Sequence, residues 1–167
     1  RKVLAMPQTY NAVEALKLAE QIERNGRAFY LRGVEIVDDE SARDLLKRLA
    51  DWEAGHEKLF ADIRRSVEES DPGAMSLDPD GTESLYLSAV ADNHVFNQDK
   101  EPASLLSENH SSRDVLKIAL GFEQDSILFF LGIVNSMSDG MNKDNDHRVV
   151  YEEMDHVAYI QHELDKA

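Results

Sequence analysis

The tetrad Glu53-Ala-Gly-His56 returns one hundred residues later as Glu153-Met-Asp-His156. A spacing of three sets the Glu and His of each tetrad on one face of a helix. In both copies that face is otherwise apolar, reading Leu49, Glu53, His56, Phe60 and then Val149, Glu153, His156, Ile160. Charged groups on an apolar stripe are carried into a core, where they must find partners or counter-charge. A chain that does this twice, on two separate helices, is tightly limited in how it can pack.

Hydrophobic periodicity predicts four long helices in two pairs, over 10–37 and 39–69, then 111–139 and 144–164. The first stripe is Ala19, Gly26, Tyr30, Gly33 and Val37; the second is Leu45 with Leu46, Leu49, Trp52, Phe60 and Ile63. The third is Val115, Ala119, Ser126, Phe130, Ile133 and Met137, and the fourth holds Val149, Ile160 and Leu164. Asp38 or Asp39 can cap the second helix, Ser111 with Asp114 forms an aspartate version of a capping box, and Asp139-Gly140 ends the third. A short turn makes the first two helices antiparallel neighbours. The crossover, 70–110, opens on the turn signals Asp71-Pro72-Gly73 and Asp78-Pro79-Asp80-Gly81, with a short helix expected over 82–96 and a further turn or two over 102–106. The expected architecture is one all-α domain over 1–167: a four-helix bundle of two helix pairs joined by a long crossover.

The partner helices carry the same intrusion. The first reads Ala19, Glu23, Gly26, Tyr30 and the third Ala119, Glu123, Ser126, Phe130. Glu20 competes with Glu23 for the inward position, and the repeat decides between them. Thirty residues separate Glu23 from Glu53, and thirty separate Glu123 from Glu153; the same shift of one hundred aligns Lys17 with Lys117, Ala19 with Ala119 and Phe29 with Phe129, whereas Glu20 falls on Leu120. Two related helix pairs packed about an approximate two-fold axis bring four carboxylates and two imidazoles together. Four ionised carboxylates in a dry core need compensation, and no Lys or Arg occupies these stripes. Two divalent cations supply it. Carboxylate oxygen with imidazole nitrogen suits iron or manganese, and zinc as well. The expected metal ligands are therefore Glu23, Glu53, His56, Glu123, Glu153 and His156.

Composition narrows the setting. A formal charge of −15 argues against nucleic acid or anionic lipid as partner. The longest apolar run, 127–134, is far short of a bilayer span. The chain has no cysteine, which removes disulfides, thiolate metal sites and an internal rubredoxin-type centre, and fits a cytoplasmic protein.

The segments Glu23-Arg-Asn-Gly-Arg-Ala-Phe29-Tyr30, Glu53-Ala-Gly-His56, Gly121-Phe-Glu123-Gln-Asp-Ser126 and Glu153-Met-Asp-His156 resemble the ferritin-like superfamily, and within it the rubrerythrin-like proteins. The resemblance covers both helix pairs. It implies a di-iron centre in which Glu53 and Glu123 bridge, Glu23 and Glu153 are terminal on opposite metals, and His56 and His156 each give one nitrogen. It also implies an oxidoreductase acting on O2, hydrogen peroxide or Fe(II), supplied by an external electron donor, with a homodimer as the plausible assembly. Two features depart from the pattern. No rubredoxin domain can be built without cysteine, and Ser126 stands where many rubrerythrins carry a further glutamate ligand used in peroxide handling. The crossover is not that of a cage-forming ferritin.

Other readings stand beside this one: a non-catalytic metal-binding or iron-sensing module, and an interaction domain using its acidic surface and segment 70–110. Tyr30, two turns beyond Glu23, is placed to hydrogen-bond a ligand or relay an electron, although Phe130 holds the matching place in the second half. His94 in the crossover is read as a packing or capping residue, or as a proton shuttle or extra ligand. His110 and His147 are read as surface, Trp52 and Phe29 as core, and Gly26 as a point of close approach for a partner helix, the favoured reading, or for substrate.

Overall fold

Polar side chains that break the apolar stripes set where the core must divide, and the structure is organised around that division. It is a computed structural model, and it describes residues 10–70, 82–93, 102–136 and 143–166. Five α-helices occur among them: α1 (Ala12–Ile36), α2 (Glu40–Ser70), α3 (Thr82–Asn93), α4 (Ser112–Ser136) and α5 (Lys143–Lys166), with a 3-10 turn at Pro102–Leu105 between α3 and α4. No strand occurs among the described residues. Asp71-Pro72-Gly73, Asp78-Pro79-Asp80-Gly81, His94, Met137 and Asp139-Gly140 lie outside them.

The helix ends follow local chemistry. The Asn11 side chain accepts from the Glu14 amide while Glu14 reaches back to the Asn11 amide, a reciprocal box that starts α1. Asp39, rather than Asp38, caps α2 by accepting from the Ala42 amide at 2.7 Å. Ser111 and Asp114 exchange the expected pair of bonds at the start of α4. Three residues join α1 to α2, so the two helices pack as an antiparallel hairpin, and α4 packs with α5 in the same way. The pairs meet through α1 against α4 and α2 against α5, while α3 lies on α4. There Leu87 is buried and Tyr86 donates to the Leu128 carbonyl. Gly132 makes the close approach possible, since a Cβ on it would stand 2.7 Å from the Tyr86 ring.

Two apolar clusters result. One contains Leu16, Ala19, Phe60, Ile63, Leu87, Phe129, Phe130, Ile133 and Val149; the other contains Phe29, Val37, Leu45, Leu46, Leu49, Leu116, Phe122, Ile160 and Leu164. Every stripe passes from one cluster to the other across the positions that carry Glu or His. A polar layer therefore lies midway along the bundle, with apolar packing on both sides. Among the described residues α4 alone is long and apolar enough to cross a membrane, and half of that stretch is buried inside the bundle. No single apolar run in it is long; the helix qualifies because its core-facing and outer residues are both apolar.

Candidate metal centre

All six residues singled out by the repeat face inward in this layer. Glu23, Glu53, His56, Glu123, Glu153 and His156 are each at most 4% exposed. Each of the four bundle helices contributes: Glu23 from α1, Glu53 and His56 from α2, Glu123 from α4, Glu153 and His156 from α5. Glu20, set aside by the repeat, turns toward α2 and pairs with Arg64, which also holds Glu68.

The ligand atoms fall into two overlapping groups. Glu23, Glu53, His56 and Glu153 form one; Glu53, Glu123, Glu153 and His156 form the other; within each, one donor atom per residue lies within 4.8 Å of all the rest. Glu53 and Glu153 belong to both. The resemblance placed Glu53 and Glu123 between the metals, whereas the side chains group with Glu53 and Glu153 as the shared pair. These are the repeat-equivalent carboxylates, the ones an approximate two-fold axis would relate to each other.

Five buried atoms in the layer make no hydrogen bond: both oxygens of Glu23, Oε1 of Glu53, Nδ1 of His56 and Oε1 of Glu153. His56 Nδ1 stands 2.8 Å from Glu153 Oε1 and 3.7 Å from Glu23 Oε2. The first is a close imidazole–carboxylate approach across the two hairpins. His156 Nδ1 is 3.1 Å from Glu153 Oε2 and 3.5 Å from both Glu53 Oε1 and Glu123 Oε1. The two imidazoles lie face to face with centroids 5.4 Å apart. Buried groups of this kind are nearly always satisfied. Here unbonded polar atoms from both hairpins converge on one small volume that could hold a metal ion. Glu23 and Glu53 can satisfy each other only by sharing a proton, since two ionised carboxylates offer no donor.

With protons alone, the layer settles its charge unevenly. Burial, reinforced by neighbouring carboxylates, pushes Glu23, Glu53 and Glu123 well above the usual carboxylate range. Burial opposes ionisation of Glu153 too, but both imidazoles outweigh it and hold that carboxyl well below its ordinary value. The histidines respond in kind. Burial disfavours their charged forms, yet contact with Glu153 lifts His56 to about 9, and contacts with Glu123 and Glu153 raise His156 further. Tyr30 donates a short hydrogen bond to Glu123 Oε1, and burial followed by the Glu123 charge keeps its phenol protonated well beyond the ordinary range. Tyr30 thus contacts one of the six residues singled out as candidate ligands.

Around this layer the remaining expectations divide. Phe29 is core, as read from the sequence. Gly26 faces the Glu53 carboxyl, but a Cβ there would lie 3.6 Å from it, an ordinary contact, so the packing of α1 on α2 does not require a glycine. His147 is exposed, and His110 is partly buried with Nδ1 accepting from the Ser107 amide. Trp52 packs against the core but is only partly buried. It lines a surface cleft of about 540 Å³ between α2 and α5, whose wall also includes His56, His156, Arg148, Glu152 and Tyr159. The cleft reaches the two imidazoles from outside. Glu152 was not foreseen: its Oε2 lies 2.8 Å from His56 Nε2, and Arg148 holds its other oxygen. Its position beside Glu153 is off the apolar stripe, so periodicity gave no sign of it.

No protein-family model matches the chain, and no curated protein or solved structure is significantly similar to it. Fold and site alone define the class: an all-α bundle of two helix hairpins enclosing a layer of four carboxylates and two imidazoles able to hold metal.

Proposed function

We propose that this chain is a ferritin-like protein with a two-metal carboxylate centre, that iron is its metal, and that it is an oxidoreductase toward O2 or hydrogen peroxide, with Fe(II) as a further substrate. The observation that carries the reading is the convergence of buried Glu and His side chains from four helices in two groups sharing Glu53 and Glu153, with five of their polar atoms, from three of those helices, making no hydrogen bond. Glu23, Glu53, His56 and Glu153 would hold one ion and Glu53, Glu123, Glu153 and His156 the other. Two divalent cations balance four carboxylates once the histidines are neutral. Iron held there supplies one-electron chemistry toward oxygen species. The protein's own part is to keep the layer dry between two apolar clusters, to fix the carboxylates on rigid helices, and to hold a phenol proton against Glu123. The cleft over His56 and His156 offers a small oxidant or cation a way in from the surface.

A specific observation favours a second, non-catalytic reading. Each ligand group draws on both hairpins, so a bound ion would tie the two halves together and act mainly as a brace or an iron-responsive switch. Ser126, buried where a further carboxylate would enlarge the ligand set, supports it. Anomalous scattering at the iron edge from protein loaded anaerobically with Fe(II) tests the centre itself, and the expected result is two positions among the six ligands. Oxygen uptake on admitting air then separates the readings. Repeated turnover with an electron donor supports the oxidoreductase. Two bound irons with no turnover favour the brace or switch, and no bound metal rejects both.

A further inference from the structure

The hundred-residue repeat pairs Trp52 with Glu152. Each is the residue before the shared glutamate of its own half, and each backs the histidine of the opposite half. Glu152 Oε2 meets His56 Nε2 at 2.8 Å, with Arg148 Nε holding Glu152 Oε1 at 2.7 Å. The Trp52 ring instead stacks on His156, with centroids 5.0 Å apart and planes 12° from parallel. One position in the repeat thus supports one imidazole with a carboxylate and the other with an indole.

We infer that the two metal positions are unequal, and that Glu152 is a positioning residue making the Glu23–His56 side the tighter one. The inference rests on the two-metal reading. A carboxylate that accepts from the outer nitrogen of a ligating imidazole fixes the ring's tautomer and rotation, presents the inner nitrogen as a lone pair, and strengthens it as a donor. Glu152 does this for Nδ1 of His56, which already faces Glu23 and Glu153. Trp52 fixes the plane of the His156 ring, but an indole offers no acceptor. The carboxylates lean the same way. Tyr30 donates to Glu123 on the His156 side and draws off part of its charge, while both oxygens of Glu23 on the His56 side carry no hydrogen bond.

The test is a titration of the chelator-treated full chain with Zn(II), a redox-silent probe, followed by calorimetry and by nitrogen-15 NMR of the histidine rings. The wild type is expected to bind in two steps: the first equivalent shifts His56, and the second shifts His156 together with the fluorescence of Trp52, the chain's one tryptophan. Glu152→Leu should weaken the first step by about 10- to 100-fold and leave the second within about twofold. Glu152→Gln keeps an acceptor without the charge, so it should recover part of the loss, and it stands in for the leucine variant if that one fails to fold. Simultaneous equal binding, His156 shifting first, or equal weakening of both steps by either variant would overturn the asymmetry and leave the two-metal reading in place. A wild type that binds no metal would remove that reading and the asymmetry together.

Discussion

Replacing Glu23 should stabilise the bundle and at the same time weaken its response to metal. Glu23 is 1% exposed, and neither of its oxygens has a hydrogen-bond partner. A buried polar group left unpaired costs about 1–3 kcal/mol, and exchanging buried ionic groups for apolar ones of similar size often gains about 1–4 kcal/mol. Methionine is close to glutamate in length and unbranched, so it can fill the same space beside Gly26 without strain. For Glu23→Met in chelator we expect a gain of about 2 kcal/mol, which for a domain of this size raises Tm by about 4–8 °C. Metal should reverse the order. A ligand at a hundredfold excess over its Kd stabilises the folded state by about 2.7 kcal/mol, available in full to the wild type and much reduced in a variant lacking one of four donors at one position. Scanning calorimetry of both proteins, in chelator and with Mn(II) under nitrogen, checks the four values. A Tm for chelated Glu23→Met at or below wild type, or equal shifts of both proteins with Mn(II), would refute the reasoning, because either result means that Glu23 is satisfied by the protein and not by an ion.

Three further outcomes follow from the same geometry. Tyr30→Phe removes the donor to Glu123 and should cost about 1–2 kcal/mol of stability in urea melts, with both metal equivalents retained on elemental analysis. His56 has its folded value raised to about 9 from 6.5, so its charged form stabilises the chelated protein fully below about pH 6.5, and that contribution is lost as pH rises through about 9. Chelated Tm should fall across this window while metal affinity climbs, since a bound metal must displace the His56 proton; a flat Tm from pH 6.5 to 9 counts against the site's electrostatics. Gly132→Ala puts a methyl 2.7 Å from the Tyr86 ring and 2.8 Å from Leu87 Cδ2, and should loosen α3 from α4 at a cost of about 1–3 kcal/mol, seen as faster hydrogen exchange in α3 with the metal ligands undisturbed.

What the sequence disclosed depended on how far the chemistry of a position is set by its own helix. The four long helices and their inward faces were legible because each stripe is a property of one segment, and because a polar residue on such a stripe has nowhere to point but the core. Asp39 against Asp38 was not legible, since capping depends on which residue leaves the helix path first, and only the Ala42 amide decides it. The position of Trp52 was legible only in part. Its apolar surface predicts burial, and it does pack against the core, but its stacking on His156 and Tyr159 and its place in the cleft wall depend on α5. Glu152 was invisible because its role lies wholly in a partner on another helix, His56, ninety-six residues away.

The shared carboxylates show what a repeat carries beyond the list of its members. A shift of one hundred residues exchanges Glu53 with Glu153 and Glu23 with Glu123. Any arrangement that respects an approximate two-fold axis must place equivalent residues equivalently. A bridging pair of Glu53 and Glu123 breaks that rule, because each member's equivalent would be terminal. Glu53 with Glu153 obeys it, and those are the residues common to both ligand groups. Such an axis would pass between the two shared carboxylates, and each half of the chain would supply one unshared carboxylate and one imidazole. Against this near-symmetry the departures stand out: Trp52 opposite Glu152, and Tyr30 opposite Phe130. Both members of the first pair touch an imidazole, and Tyr30 touches a carboxylate, so the differences between the halves fall on groups that would bind metal. Differences placed there would make one of the two proposed metal positions chemically distinct from the other.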